Sequence, residues 1–95
     1  MPYVRISLMV PLVGREAEVI DINEELVAFY RKKKGCLQSY VMRPSKASRD
    51  AGRISMWESE EDAEETAKIE STLALRSRLH LVVQEGHREL AFRAD

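Results

Sequence analysis

Hydrophobic residues near the start of the chain alternate with other residues, the pattern of a β-strand, because side chains two positions apart share a face. One face of this strand is uniformly aliphatic, with Val4, Ile6, Leu8 and Val10. The opposite face is mixed, with Tyr3, Arg5, Ser7 and Met9. The pattern predicts a strand from residue 3 that stops near Pro11, since proline cannot donate a ladder hydrogen bond.

The spacing of hydrophobic residues changes after Gly14 to steps of three and four, which is typical of a helix with one apolar face. The residues that form this face are Val19, Ile22, Leu26 and Phe29, widened by Ile20, Val27 and Tyr30. Acidic residues near its start and Lys32 to Lys34 at its end suit the two ends of the helix dipole. With Gly35 suited to the left-handed position after a helix, the pattern predicts a helix from Glu16 to Lys34.

Two further strands are predicted in the middle of the chain, from Cys36 to Arg43 and from Ile54 to Glu58. The segment between them, Arg43 to Arg53, is polar and contains glycine and proline, so it is predicted to be a long connecting loop. A last strand is predicted from Arg88 to Arg93, where hydrophobic and charged residues alternate.

A second helical region is predicted after the third strand. Ser59 can cap it, and the acidic residues Glu60 to Asp62 suit its first turn. We expect a bend near Glu70 to Thr72, after which the helix restarts with a new apolar face. The residues of that face are Leu75, Leu79, Val82 and Val83.

The order β-α-β-β-α-β predicts one α+β domain over residues 1–95 with the ferredoxin-like arrangement, in which two helices cover one face of a four-stranded sheet. The other face is left bare. The side chains expected there are Tyr3 and Met9, with either Tyr40 and Met42 or Leu37 and Val41. Because an apolar sheet face needs a cover, we expect a homodimer joined sheet to sheet as a dimeric α+β barrel.

The charge balance excludes several classes of partner. Fifteen basic residues face 16 acidic ones, for a formal net charge of −1, so we expect no nucleic-acid binding. No apolar run is long enough to span a membrane and no signal pattern opens the chain, so we expect a cytoplasmic protein without a membrane contact. Cys36 is the only cysteine, and no motif for a metal, nucleotide or other cofactor occurs, so none is expected.

Two segments resemble the antibiotic-biosynthesis-monooxygenase (ABM) family of dimeric α+β barrels. The first is AFYRKKKGCLQSYVMR, from Ala28 to Arg43, and the second is ISMWESEEDAEE, from Ile54 to Glu65. The resemblance covers nearly the whole chain and implies a dimeric barrel. Known members include cofactor-free oxygenases of polycyclic phenols, haem-degrading enzymes, and proteins without an assigned substrate.

The haem-degrading members resemble one another in an Asn on the first strand, a Trp in the second helix and a haem-ligating His. This chain has Ser7 and Met9 on the first strand and no Trp between Ala63 and Leu79, so the resemblance does not extend to that activity. His80 is the only candidate for such a ligand.

The candidate substrate pocket consists of Trp57, Met9, Met42, Met56 and Tyr40, whose aromatic and thioether groups suit an aromatic ligand. Each of them equally suits a hydrophobic core or a dimer contact. His80 is the candidate catalytic base because its pKa lies near neutrality, although a histidine among Leu79, Leu81 and Val82 also suits a plain core position. His87 is expected at the surface, and Cys36 is expected to be structural.

Two functions remain open, and the residues do not decide whether the chain is an enzyme. The first is a cofactor-independent monooxygenase-like enzyme for a small aromatic substrate of the phenol or quinol type, with His80 assisting deprotonation. The second is a non-catalytic protein that uses the same barrel cavity for small-ligand binding or assembly, since one histidine without an orienting carboxylate makes a thin active site.

Overall fold

The structure, a computed structural model, describes residues 2–95 as a four-stranded antiparallel sheet with three helices. The elements are β1 (Tyr3–Met9), α1 (Glu16–Tyr30), β2 (Cys36–Met42), β3 (Ala51–Trp57), α2 (Glu60–Ala67), α3 (Glu70–His80) and β4 (Arg88–Arg93). The strand order is β2-β3-β1-β4. The predicted ferredoxin-like α+β fold is therefore confirmed.

Helix α1 packs its apolar face on the sheet through Val19, Ile22 and Leu26, which are almost completely buried. It ends at Tyr30, so the predicted end at Lys34 was wrong. The chain instead leaves the helix through tight turns, in which the Lys33 amide donates to the Tyr30 carbonyl over 2.9 Å. The basic residues that suit a helix C-terminus lie in these turns.

Gly35 serves the entry to β2 rather than the end of α1. Its φ of +84° is the left-handed conformation that glycine adopts without strain. Its carbonyl accepts a hydrogen bond from the Glu58 amide over 2.8 Å, which ties the start of β2 to the end of β3.

The second helical region divides into α2 and α3, as the sequence predicts. The Ser59 side chain caps α2 by accepting a hydrogen bond from the Asp62 amide over 3.1 Å. The break falls at residues 68 and 69, just before the predicted segment. Thr72 Oγ1 donates to the Thr66 carbonyl over 2.9 Å, which holds the two helices together across the break.

Strand β3 begins at Ala51, three residues before its predicted start at Ile54. Gly52 and Arg53 therefore belong to the sheet and not to the connecting loop. A Cβ atom at Gly52 would overlap the Ser7 carbonyl, so glycine is required here by the close approach of β1 and β3.

The two faces of β1 are the reverse of the prediction. Tyr3 and Met9 were expected on the bare face, but Met9 lies in the core beneath α1 at 2% exposure, and Tyr3 packs against that core. The uniformly aliphatic side chains of β1 point to the side without helices. Of the two alternatives for β2, Tyr40 with Met42 is correct, because the register pairs Tyr40 with Ile54 on that same side.

We call the helix-covered side the inner face and the other side the open face. No helix covers the open face within residues 2–95. Its apolar side chains are Val4, Ile6, Leu8, Tyr40, Met42, Ile54, Met56, Leu90 and Phe92. Tyr40 and Phe92 are about half exposed, at 50% and 52%.

None of the described helices is both long and apolar enough to cross a bilayer.

Candidate functional site

A cavity lies between the inner face and α2. Its enclosed volume is about 30 Å³, and the free space grows to about 370 Å³ when its mouth to solvent is included. Its aromatic and small apolar lining consists of Tyr30, Trp57, Ala63 and Ala67. Its polar lining consists of Arg5, Ser7, Arg53, Ser55, Thr66, Arg76 and Glu89. The cavity is therefore part aromatic and part charged.

The cavity exists because small side chains face each other where the sheet and α2 approach. Ser7 and Ser55 occupy the inner face of β1 and β3, and Ala63 and Ala67 occupy the facing side of α2. Larger residues at these positions would fill the space, as they do in a close-packed core. Ser55 Oγ is itself held by Ser39 Oγ at 2.8 Å.

Arg53 is the most buried charged group of the cavity, with 4% exposure. Its Nη1 donates to Asn23 Oδ1 over 2.9 Å, and Asn23 Nδ2 in turn donates to the Val19 carbonyl over 3.0 Å. The guanidinium carbon also lies 5.9 Å from the centre of the Tyr30 ring, within cation–π range. These contacts fix the guanidinium against the wall that α1 provides.

Glu89 lies next to Ser7 across the β1–β4 ladder, and three side chains contact its carboxylate. Ser7 Oγ donates to Oε2 over 2.6 Å, while His87 Nε2 lies 2.9 Å and Arg76 Nη2 lies 3.4 Å from Oε1. Burial raises the pKa of Glu89, but the hydrogen bond from Ser7 and the charges of Arg53, Arg76 and His87 outweigh it. The net effect lowers the pKa, so the carboxylate stays ionised at neutral pH.

His87 and His80 form a stacked pair outside the cavity, with ring centroids 5.2 Å apart. Burial lowers the pKa of His87, and the charges of His80 and Arg53 add to this against the opposing effect of Glu89. His87 is therefore neutral at pH 7 and donates from Nε2 to Glu89, while its Nδ1 is buried without a partner in the described chain.

The structure separates the residues that the sequence suggested for one pocket. Trp57 lines the cavity and is 2% exposed. Met9 is on the same face but in the core, where its sulfur lies 3.5 Å from Asn23 Nδ2. The remaining candidates, Tyr40, Met42 and Met56, lie on the open face, away from the cavity.

His80 is exposed at the end of α3 rather than half-buried, and it is absent from the cavity lining within residues 2–95. It meets the cavity only indirectly, through His87 and then Glu89. His80 and Trp57 therefore do not line the same cavity.

The sequence does not single out Arg5 or Glu89 as cavity residues, and it places Arg53 in a basic loop rather than on the covered face of the sheet. Arg5, Arg53 and Glu89 all occupy inner positions of their strands, next to the small residues Ser7 and Ser55. The available signal was the repeated polar residue at alternate positions of β1 and β3. Because a covered sheet face is expected to be apolar, this pattern does not by itself indicate a cavity beneath a helix.

Within the part of the chain that the structure describes, neither a metal site nor a reactive thiol is found. No group of three or more His, Cys, Asp or Glu side chains in residues 2–95 is arranged to hold a metal ion. Burial raises the pKa of the Cys36 thiol, against the smaller opposing effect of Arg31, so this cysteine is protonated at neutral pH.

No protein-family model matches the sequence. No curated protein matches it either. Solved structures do match its fold. SnoaB from Streptomyces nogalater, described as a cofactor-independent oxygenase, superposes with a TM-score of 0.85 at 14% identity, over 99% of this chain and 93% of SnoaB.

Two other solved structures are equally similar in shape. A candidate antibiotic biosynthesis monooxygenase from Nitrosomonas europaea gives a TM-score of 0.89 at 10% identity, over 98% of this chain and 89% of that one. Rv0793 from Mycobacterium tuberculosis gives 0.88 at 12% identity, over 99% and 95%. The chain therefore shares the fold of these three proteins, one of which is described as a candidate antibiotic biosynthesis monooxygenase.

Proposed function

We propose that this chain is a cofactor-independent monooxygenase-like enzyme that binds a compact phenol or quinol in the cavity beneath α2. The observation that carries the proposal is the pairing of two aromatic walls, Trp57 and Tyr30, with the ionised carboxylate of Glu89 in one cavity. The shared fold with SnoaB, which is described as a cofactor-independent oxygenase, supports the same reaction class.

The reaction begins with loss of the phenolic proton, because the phenolate is electron-rich enough to react with O₂ directly. One oxygen atom forms a bond to a ring carbon and the other leaves as water. The ring supplies the four electrons and becomes a quinone, so phenol and O₂ yield quinone and water. The protein has to bind the ring, accept the proton and exclude bulk water.

We assign Glu89 as the group that accepts the phenolic proton, because it is the only carboxylate in the cavity lining of the described chain. Its contact with His87 Nε2, at 2.9 Å, holds the carboxylate in place at the cavity. His80, the base expected from the sequence, stacks on His87 outside the cavity and does not contact the substrate in this scheme.

Oxygen consumption with a panel of simple phenols and quinols tests the proposal. Wild type should consume O₂, and Glu89→Gln should reduce the rate at least about tenfold because general-base catalysis contributes about 10²–10⁴-fold. Glu85→Gln, at an exposed acidic position nearby, is the matched control. With labelled O₂, one labelled atom should appear in the quinone. If wild type consumes O₂ no faster than Glu89→Gln does, the proposed enzymatic activity is contradicted.

The assignment of His80 needs its own variant. His80→Ala should lower the rate less than Glu89→Gln does, since His80 lies outside the cavity. A loss equal to that of Glu89→Gln would instead make His80 the base that the sequence suggested.

A non-catalytic ligand-binding protein is the second candidate. The lowered pKa of Glu89 favours it, because a carboxylate already bound by Ser7 and Arg76 is a weak base. Thermal-shift measurements with the same panel separate the two functions. Stabilisation by ligands without oxygen uptake would support binding alone.

We further propose that the working unit is a homodimer joined through the open face. Nine apolar side chains occupy this face, and a surface of this size and composition is seldom left in water. A second copy of the chain fits it, because an isologous contact lets the same patch cover itself.

Light scattering at low micromolar concentration should report about twice the chain mass of 10.9 kDa. Ile6→Asp and Met42→Asp each place a charge on the open face and should yield monomers. Leu73→Asp is the matched control, since Leu73 is 50% exposed on α3 and away from that face. A stable wild-type monomer would contradict the dimer.

A further inference from the structure

The cavity carries an excess of positive charge although the chain as a whole does not. Three arginines and one carboxylate line it, whereas the chain has a formal net charge of −1. Arg76 and Glu89 contact each other at 3.4 Å, so their charges offset. Arg5 and Arg53 form no ion pair with any carboxylate of residues 2–95.

Arg53 uses only one side of its guanidinium for bonds to the protein. Nη1 donates to Asn23 Oδ1, while Nε and Nη2 have no partner among the described residues. These two nitrogens are not completely buried. Only one side-chain N or O atom in residues 2–95 is completely buried without a hydrogen-bond partner, and that atom is His87 Nδ1. With the whole residue 4% exposed, the free edge meets the cavity and little bulk water.

The free edge has the geometry that recognises a carboxylate. Nε and Nη2 donate in parallel and match the two oxygens of one carboxylate, which gives a bidentate, charge-assisted pair. Asn23 holds the guanidinium in place before a ligand arrives, so little conformational freedom is lost on binding. A buried guanidinium with an unused edge is costly, and an anion would relieve that cost.

Aromatic surface lies directly beside this edge. Tyr30 is 5.9 Å from the Arg53 guanidinium carbon and stands edge-on to Trp57, with 5.8 Å between ring centroids. Arg5, one row along the inner face, adds a second cation whose side chain forms no hydrogen bond within residues 2–95.

We propose that the ligand of this cavity is an aromatic carboxylate, held through its carboxylate by Nε and Nη2 of Arg53 with Arg5 as a second cationic contact. The proposal rests on the proposed function to the extent that the same cavity holds the substrate. It narrows that substrate from phenols and quinols in general to phenolic acids.

Binding is measured by titrating the fluorescence of Trp57, the sole tryptophan, with para-hydroxybenzoate and with para-hydroxybenzamide. The two probes share their ring and hydroxyl and differ in charge at one group. Wild type should bind the acid about tenfold or more tightly than the amide, because only the acid forms a charge-assisted pair with Arg53.

Arg53→Gln and Arg5→Gln should each weaken binding of the acid and leave binding of the amide nearly unchanged. Arg53→Gln also loses the contact with Asn23, so circular dichroism and thermal unfolding must show that it folds. Arg5→Gln breaks no protein hydrogen bond and serves as the second variant. Arg49→Gln, in the exposed loop before β3, is the matched control and should keep the preference.

Equal affinity for acid and amide in wild type would overturn the anionic ligand and leave the aromatic cavity intact. A preference that survives in both Arg5→Gln and Arg53→Gln would show that the carboxylate binds elsewhere, which also overturns the proposal. If para-hydroxybenzoate, para-hydroxybenzamide and hydroquinone all fail to bind, both this proposal and the proposed binding site are wrong.

Discussion

Tyr30 stands edge-on to Trp57, with ring centroids 5.8 Å apart and ring planes at 63°. The pair joins the last turn of α1 to the end of β3 and forms the aromatic side of the cavity. Both rings are buried, at 8% and 2% exposure, so the pair belongs to the core and to the candidate site at once. Edge-to-face pairs add about 0.5–1.5 kcal/mol to the burial of the rings.

Trp57→Ala should therefore destabilise the fold by about 3–5 kcal/mol, because it removes a buried aromatic ring and leaves a void. Trp57→Phe keeps a ring against Tyr30 and should cost less. Urea unfolding followed by circular dichroism measures both. Equal losses in the two variants would mean that a phenylalanine ring at this position restores neither the packing nor the contact with Tyr30.

Met9→Ala should cost about 2–5 kcal/mol, since its side chain is buried beneath α1. Leu73→Ala is the matched control, because Leu73 is 50% exposed on α3 and lies outside both the core and the open face, and it should cost less. Thermal unfolding at one fixed protein concentration compares them. The opposite order would place Met9 outside the core.

Ser59→Ala should lower stability by about 1 kcal/mol, because it removes the side-chain oxygen that accepts the Asp62 amide at the start of α2. Ser77→Ala, at an exposed position within α3, removes a hydroxyl without a capping role. Thermal unfolding should show a lower midpoint for the first variant alone.

The stability of the protein should fall as the pH drops from 6.5, the ordinary pKa of histidine. The pKa of His87 lies below that value in the folded state, so the unfolded chain takes up its proton first and gains stability relative to the folded one. His87→Gln should reduce the loss of stability at low pH. His80→Gln should keep most of that loss, because burial of His87 is the largest cause of its lowered pKa.

Unfolding free energies at several pH values, measured by urea titration, give the slope for each variant. A slope in His87→Gln equal to that of wild type would assign the pH dependence to other groups. Glu89 adds a second loss below its ordinary pKa of 4.5, because its pKa is lowered in the folded state and its ionised form is the one stabilised there.

The elements of the fold could be predicted because their signals are local. The alternation in β1, the three-and-four spacing of α1 and the cap at Ser59 each lie within one short segment. The start of β3 could not be predicted in this way. Gly52 has the composition of a loop residue, and only its approach to the Ser7 carbonyl explains its place in a strand.

Of the five residues that the sequence suggested for a substrate pocket, only Trp57 lines the cavity. Its charged part could not be predicted as one site, because Arg5 and Arg53 are far apart in sequence and come close only through the β1–β3 register. The covered face of a sheet is expected to be the more hydrophobic one, and here the reverse holds. The inner face is polar where it borders a cavity, and the open face carries the aliphatic residues.

The alternation within β1 gives neighbouring residues unrelated surroundings. Ile6 belongs to the open face, while Ser7, the next residue, belongs to the cavity wall. Exchanging the side chain at one of these positions leaves the environment of the other in place. The proposed ligand preference and the proposed self-association therefore depend on different side chains of one strand of 7 residues, and each can change during evolution without the other.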